Sequence, residues 1–342
     1  MYEPRHIPAS HRLSAWLLSA LFALSLCVQQ AWAAPAERTV IPLGQAVGIK
    51  LFADGVLVVA LADGPTPARA CGLRQGDIIT AMDGAAVGST EQVQDLLADT
   101  AGAPIVLSVR RGADALALTA CARENNGVWQ LGAWIRDSMA GIGTLTYYDP
   151  ATGQYGALGH GITDVDTAQL MPLASGAIME TTVKAVKKGA KGDPGELKGD
   201  FDLTRDSGTL YANTECGIFG KLSAEDAAKI TGAALPIAKK DEVKTGKATI
   251  LATVSGNETR EYDIEIEKIY SPSGSTRNLL LRVTDEELLA QTGGVVQGMS
   301  GSAILQDGKI IGAVTHVLLD DPSRGYGIFI ENMLSAAGLS SE

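Results

Sequence analysis

The sequence predicts a mainly β protein in two domains behind a leader, a small domain that mixes strands and helices followed by a larger strand-rich one. Three observations carry this reading. The chain has 342 residues, more than one ordinary domain needs. Its 39 glycines, with many Val, Ile and Thr residues, favour strands and tight turns over a helical bundle. Hydrophobic residues make up 46% and charged residues 20%, a mix that suits a buried core and excludes a disordered chain. The formal net charge of -11 argues against a nucleic-acid partner, since phosphate binding calls for a basic surface.

The leader comes first. Arg5 and Arg12 precede an apolar stretch from Trp16 to Val28, and Ala31-Trp32-Ala33 has the small-x-small pattern of a signal peptidase site. Residues 1–33 are therefore expected to export the chain, as a cleaved signal peptide or a retained anchor. Removing them leaves Cys71, Cys121 and Cys216. That odd number allows at most one internal disulfide, and no CxxC spacing supports a metal or redox site. No cofactor is expected.

Residues 38–124 read as the small domain. Two strand-like runs, from Val47 to Phe52 and from Val56 to Leu61, flank the turn Asp54-Gly55. A short helix near Ala68 follows, then a strand at Ile78–Met82 and the turn Asp83-Gly84. Ser89 caps a longer helix whose Val93, Leu96 and Leu97 share one face, and Ile105–Val109 closes the domain as a strand. The run Ala70-Cys71-Gly72-Leu73-Arg74-Gln75-Gly76-Asp77-Ile78-Ile79, with Met82-Asp83-Gly84, resembles a PDZ domain of the bacterial exported-protease type. Such a domain binds peptide C-termini or internal segments by strand addition. The resemblance places the carboxylate-facing loop near Gly44–Gly48 and makes Gly44, Val47, Gly48 and Ile49 the expected peptide contacts.

Residues 125–342 read as the larger domain. Strand-like runs recur at 144–148, 249–254, 261–266, 279–283, 310–314 and 326–330, separated by Gly-rich turns, a spacing that suits a barrel or paired barrels. The Lys- and Gly-rich stretch from Lys184 to Lys198 reads as an exposed loop with solvated charges.

Chemistry narrows quickly because the chain has only four histidines. His6 and His11 lie in the leader, so a histidine-dependent catalyst must use His160 or His316. His160 stands between Gly159 and Gly161, an arrangement that presents a side chain at a loop or strand end, and its ordinary pKa suits a general base. Ser300 lies in Gly298-Met299-Ser300-Gly301-Ser302, where glycines allow the tight turn a nucleophile needs. In a chymotrypsin arrangement the N–H groups of Ser300 and Gly298 form the oxyanion hole. His316 follows Ser300 by 16 positions, where such enzymes place the strand lining the specificity pocket, and it is read as a pocket residue. A carboxylate must orient the histidine. Asp285 is one candidate, though it stands where a helix cap belongs. Asp164, Asp166 and Glu286 remain open beside it.

The motifs together resemble the stage IV sporulation protein B family of serine peptidases. Gly298–Ser302, Gly312-Ala313-Val314-Thr315-His316-Val317, Asp321-Pro322, Gly325-Tyr326-Gly327-Ile328, Gly156–Gly161 and Ile41–Gly48 carry the likeness, which spans nearly all of the chain after the leader. It implies a chymotrypsin-like double β-barrel with His160 as base, Asp285 as orienter and Ser300 as nucleophile. It further implies export into the space between the forespore and mother-cell membranes. There the peptidase cleaves itself, near residues 34–39, and a membrane-anchored regulator, so that an intramembrane protease processes a sigma-factor precursor. Ala303 stands where the family often has proline, which leaves the chemistry intact. Met299 replaces the acid that trypsin-like enzymes pair with a new N-terminus, so that activation route is not implied. The competing expectation is a peptide-binding regulator with an inactive barrel.

Overall fold

A computed structural model describes residues 38–270 and 276–339. The leader lies outside the described residues, as does most of the expected self-cleavage stretch at 34–39. Strand β1 (Thr39–Pro42) leads into β2 (Ala46–Leu61). Helix α1 (Pro67–Ala70), β3 (Ile78–Met82), β4 (Ala85–Ala86), α2 (Thr90–Thr100), β5 (Pro104–Arg111) and β6 (Asp114–Cys121) follow. A hairpin of β7 (Arg123–Asn125) and β8 (Val128–Gln130) precedes β9 (Ala133–Asp149). Then come β10 (Gln154–Ala157), β11 (Leu173–Lys187), β12 (Glu196–Thr214), β13 (Gly217–Leu222), α3 (Ala224–Ala227) and β14 (Leu235–Pro236). The last part holds β15 (Gly246–Ala252), β16 (Arg260–Ile269), β17 (Leu279–Val283), α4 (Glu286–Thr292), β18 (Ala303–Gln306), β19 (Lys309–Val317), β20 (Arg324–Phe329) and α5 (Ile330–Ala336).

Two barrels result. In the first, β9, β10, β13, β12, β11 and β2 pair in turn, all antiparallel, and β2 returns to β9. In the second, β15, β16, β17, β20, β19 and β18 close on themselves. Alternation makes each core. In β16 the inward Tyr262, Ile264 and Ile266 are buried between exposed Glu261, Asp263 and Glu265, the period-2 signature of a strand with one wet face. The interior of the second barrel joins Ile250, Ile264, Leu281, Val314 and Phe329, and takes in Val183 and Leu197 from the first. A further cluster of Tyr147, Phe219, Ala313, Ile328 and Met333 joins residues of both barrels and the last helix.

The small domain shares its strands with the first barrel. Its core joins Val56, Val58, Ile79, Val93, Leu97, Ile105 and Leu107 with Leu131, and packs Trp129, Ala133 and Ile135 against them. A boundary at residue 124 cuts this core. The domain begins midway along β2 and ends on β9, because Leu57–Leu61 pairs with Ala133–Arg136. The stretch 184–198 keeps its lysines exposed, as expected, but is not a loop. It is a β11–β12 hairpin whose tip is bonded to the second barrel: Gly189 N–H donates to Thr292 O (2.8 Å), and Gln297 N–H donates to Gly195 O (2.9 Å).

Candidate active site

The site forms where the barrels meet. Ser300 sits in a turn between α4 and β18 that depends on two glycines with positive φ, Gly298 at 98° and Gly301 at 101°. A side chain at Gly301 would collide with the Thr144 carbonyl, so this turn is pressed against β9. Thr144 holds it there twice and ties it to the segment before His160 with a third bond. Its N–H donates to Ser300 O (3.0 Å), its hydroxyl donates to Gly298 O (2.7 Å), and its carbonyl accepts from Leu158 N–H (3.2 Å) two residues before His160. Around Ser300, the N–H groups of Gln297, Met299, Gly301 and Ser302 all donate to backbone carbonyls. Among the described residues those of Gly298 and Ser300 donate to none. Two unspent donors, on the serine and on the residue two before it, are what an oxyanion hole requires.

His160 follows β10 and lines the same cleft as Ser300 and His316. Its Nδ1 lies 2.8 Å from Gly161 O. A carbonyl only accepts, so Nδ1 carries the proton and Nε2 keeps a lone pair for base chemistry. Burial pushes the His160 pKa below its ordinary 6.5, partly offset by the Gly161 bond. His316 stands beside it, ring centroids 4.9 Å apart. Burial first, then His160 and Arg277, press the His316 pKa down to about 4. Both imidazoles are therefore neutral near pH 7. The His316 Nδ1 is buried without a hydrogen-bond partner. The Ser300 hydroxyl donates to Thr315 O at 2.7 Å, so in this conformation it is parked on the backbone of β19.

Two sets of expected site residues are engaged elsewhere in this structure. Asp285 is the N-cap of α4. Its carboxylate accepts from Leu288 N–H (2.9 Å) and weakly from Asp263 N–H (3.4 Å), satisfying the open end of the helix. Among the described residues His160 pairs with no carboxylate. Asp164 is fully buried but bonds Arg136, Thr167 and the Asp166 N–H, Asp166 also pairs with Arg136, and Glu286 opens α4. The Gly161 carbonyl is the partner at His160 Nδ1, and its own loop is fixed by Asn213, whose amide bonds Ile162 N–H, Ile162 O and Met171 O at 2.9–3.0 Å. Gly44, Val47, Gly48 and Ile49 are likewise misplaced as peptide contacts. Val47, Gly48 and Ile49 lie in the first barrel, where β2 is paired on both edges, to β9 and to β11, while Gly44 precedes β2 and packs against Leu251 of β15. Gly48 packs against Phe201, and Val47 and Ile49 are buried with Leu145 and Tyr155, leaving no open edge for a guest strand.

Thr144, Asn213 and the Gly161 carbonyl went unseen in the sequence. Backbone groups carry no sequence signature, and Thr144 lies inside an apolar strand run where a threonine is ordinary.

Residues 127–334 match the SpoIVB peptidase S55 family, and residues 59–111 match a PDZ domain. The chain belongs to the SpoIVB peptidase S55 family. It is a serine endopeptidase carrying a PDZ domain, which implies protein or peptide substrates. No curated protein matches the chain. Among solved structures, this S55 peptidase is similar to the active form of the Rv3671c protease from M. tuberculosis, at 15% identity and TM-score 0.33, covering 60% of this chain and 77% of that one. It is also similar to the HtrA-type protease AlgW with a decapeptide, at 12% identity and TM-score 0.33, covering 63% of this chain and 55% of that one. The PDZ domain of the SdrC-like protein Lmo2051 from Listeria monocytogenes aligns at 25% identity and TM-score 0.22, covering 24% of this chain and 87% of that one.

Proposed function

We propose that Ser300 is the nucleophile of this peptidase, His160 its general base, and the N–H groups of Gly298 and Ser300 its oxyanion hole. The hollow that brings His160, Ser300 and two unspent N–H donors together carries the reading. Ser300 leaves the Thr315 carbonyl by a side-chain rotation and gives its proton to His160 Nε2 as Oγ bonds the scissile carbon. The oxyanion takes the hydrogen bonds of the two N–H groups. His160 then passes the proton to the departing amine, the C–N bond breaks, and water hydrolyses the acyl-enzyme by the reverse relay. His316 and Arg277 line the wall beside His160, and His316 contributes to substrate selection.

In the cell, the substrate of this reading is a membrane-anchored regulator outside the cytoplasmic membrane, together with the chain's own N-terminal segment. Their cleavage lets an intramembrane protease process a sigma-factor precursor during sporulation. The family resemblance supports this assignment. A fluorophosphonate probe tests the chemistry: wild type is labelled and Ser300→Ala is not, whereas labelling that persists in the variant removes Ser300 as nucleophile. Replacing the resident peptidase of an endospore-forming host with the Ser300→Ala chain tests the pathway. Precursor processing is expected to stop, and processing that continues refutes the sporulation role.

A further inference from the structure

A single strand, β9, runs from the PDZ domain to the nucleophile. On one edge it pairs with β2 from Ala133 to Thr144. On the other edge, among the described residues, no strand pairs with it before Leu145, where β10 begins to pair. That open edge borders two hollows. At its start, a groove of about 460 Å³ lies between β9 and helix α2. Its walls include Ile79, Val93, Leu97 and Leu131, and Thr90 at the helix start bonds Asp137 of β9 through N–H (2.7 Å) and hydroxyl (3.2 Å). At its far end, Met139–Ile142 form one wall of a hollow of about 270 Å³ whose other residues include His160, Gly298 and Ser300.

The direction of an added strand follows from the ladder. Thr144 points its N–H to Ser300 and its carbonyl to Leu158, away from β2. Side-by-side alternation then turns the N–H and C=O of Ile142, Ala140 and Ser138 outward along the same edge. Ser138 and Ala140 are exposed. A peptide adding antiparallel to this edge enters at the catalytic turn and runs toward Ala133. Its C-terminal end arrives at Leu131-Gly132-Ala133-Trp134, where Gly132 adopts φ 74° and the apolar groove walls await a last side chain.

We propose that this edge is a ruler: the free, apolar C-terminus of a protein substrate seats in the groove between Gly132 and helix α2, its preceding residues add along β9, and Ser300 cuts about ten residues upstream. Ten positions separate Gly132 from Ile142, and antiparallel pairing matches them one for one over about 33 Å. The occupant is a substrate tail rather than a regulator because the groove and the cleft share one uninterrupted edge. The apolar lining of the groove selects an uncharged last residue. This inference rests on the peptidase reading above and specifies its substrate class.

The test uses the full chain and an unstructured polypeptide of mixed sequence ending in a free C-terminal valine, with cuts mapped by mass spectrometry. Cuts are expected to cluster eight to twelve residues, roughly the length of the open edge, from the C-terminus. Extending the tail by four residues while keeping the terminal valine should move the cluster by the same amount. Amidating the terminus should lower kcat/KM by about tenfold, as tethering is lost. Trp134→Glu, at a side chain 68% exposed, should abolish the clustering and leave fluorophosphonate labelling of Ser300 intact. Cuts that stay at fixed sequence positions whatever the tail length overturn the ruler alone, provided Ser300 is labelled. Loss of both cutting and labelling overturns the peptidase reading on which it rests.

Discussion

The two barrels close in the same six-stranded way but are built to different lengths. Strands β2, β9, β11 and β12 of the first barrel have 15 to 19 residues, while those of the second have 4 to 10. A short strand ends where its barrel ends. The long strands of the first barrel overshoot it, and each overshoot has a use. The far half of β2 and the near end of β9 become PDZ strands, and the β11–β12 hairpin reaches over to grip residues 292–297 before the nucleophile. The second barrel supplies Ser300 and a dense apolar core. The first supplies the base, the clamp on the turn and the edge facing substrate.

The contrast predicts that the first barrel controls rate even though it lacks the nucleophile. His160→Ala should lower kcat by on the order of 10⁴-fold or more, measured on a peptide substrate, since base and nucleophile act as a unit. Thr144→Val should come next. It keeps the shape but deletes the hydroxyl that holds Gly298 O, so kcat should fall about tenfold, the equivalent of one hydrogen bond, with KM little changed. Thr144→Ser should restore it, and a Thr144→Val enzyme with full kcat would detach the first barrel from the oxyanion turn.

Asp285 tests the second barrel by stability. Asp285→Ala should cost about 1 kcal/mol as the helix cap is lost, a fall in Tm of about 2–4 °C for a unit of this size. Asp285→Asn keeps the cap acceptor and should keep both stability and activity. A loss of activity approaching 10⁴-fold in the Asn variant, the effect of removing an orienting carboxylate, would restore Asp285 to the catalytic group.

The smallest effect concerns pH. The His160 pKa is depressed, so the acid limb of kcat/KM should lie below the ordinary value of 6.5. Stability has a matching sign. Below pH 6.5 an unfolded chain protonates His316, while the folded one resists down to about pH 4. The unfolded state then binds more protons, so stability is lost as pH falls through that window. His316→Gln should flatten the decline of Tm between pH 6.5 and 4, and an unchanged slope would show that His316 is not the group responsible.

How far the sequence could be read follows from what each residue advertises. Gly298–Ser302 and the glycine-flanked His160 were legible because scarce, chemically committed residues sat in turn-forming company. The strands of the second barrel were legible by alternation. Asp285 was ambiguous because one position serves two grammars: an acid ahead of a helix reads equally as cap and as triad member, and the hydrogen bond from Leu288 N–H establishes the cap. Gly44–Ile49 misled because a glycine-led strand resembles a carboxylate loop until its second edge is seen to be paired. The PDZ boundary was invisible because β2 and β9 cross it without any break in their apolar pattern.

Thr144 has one last consequence. Through a single residue, the turn bearing the nucleophile is tied to the strand ahead of the base. The active centre therefore belongs to a junction rather than to either half. A chain divided in the connection between β13 and β15 should give two fragments, each inert alone. Hydrolysis would return only when they reassemble, which makes this scaffold a natural candidate for a split reporter of proximity.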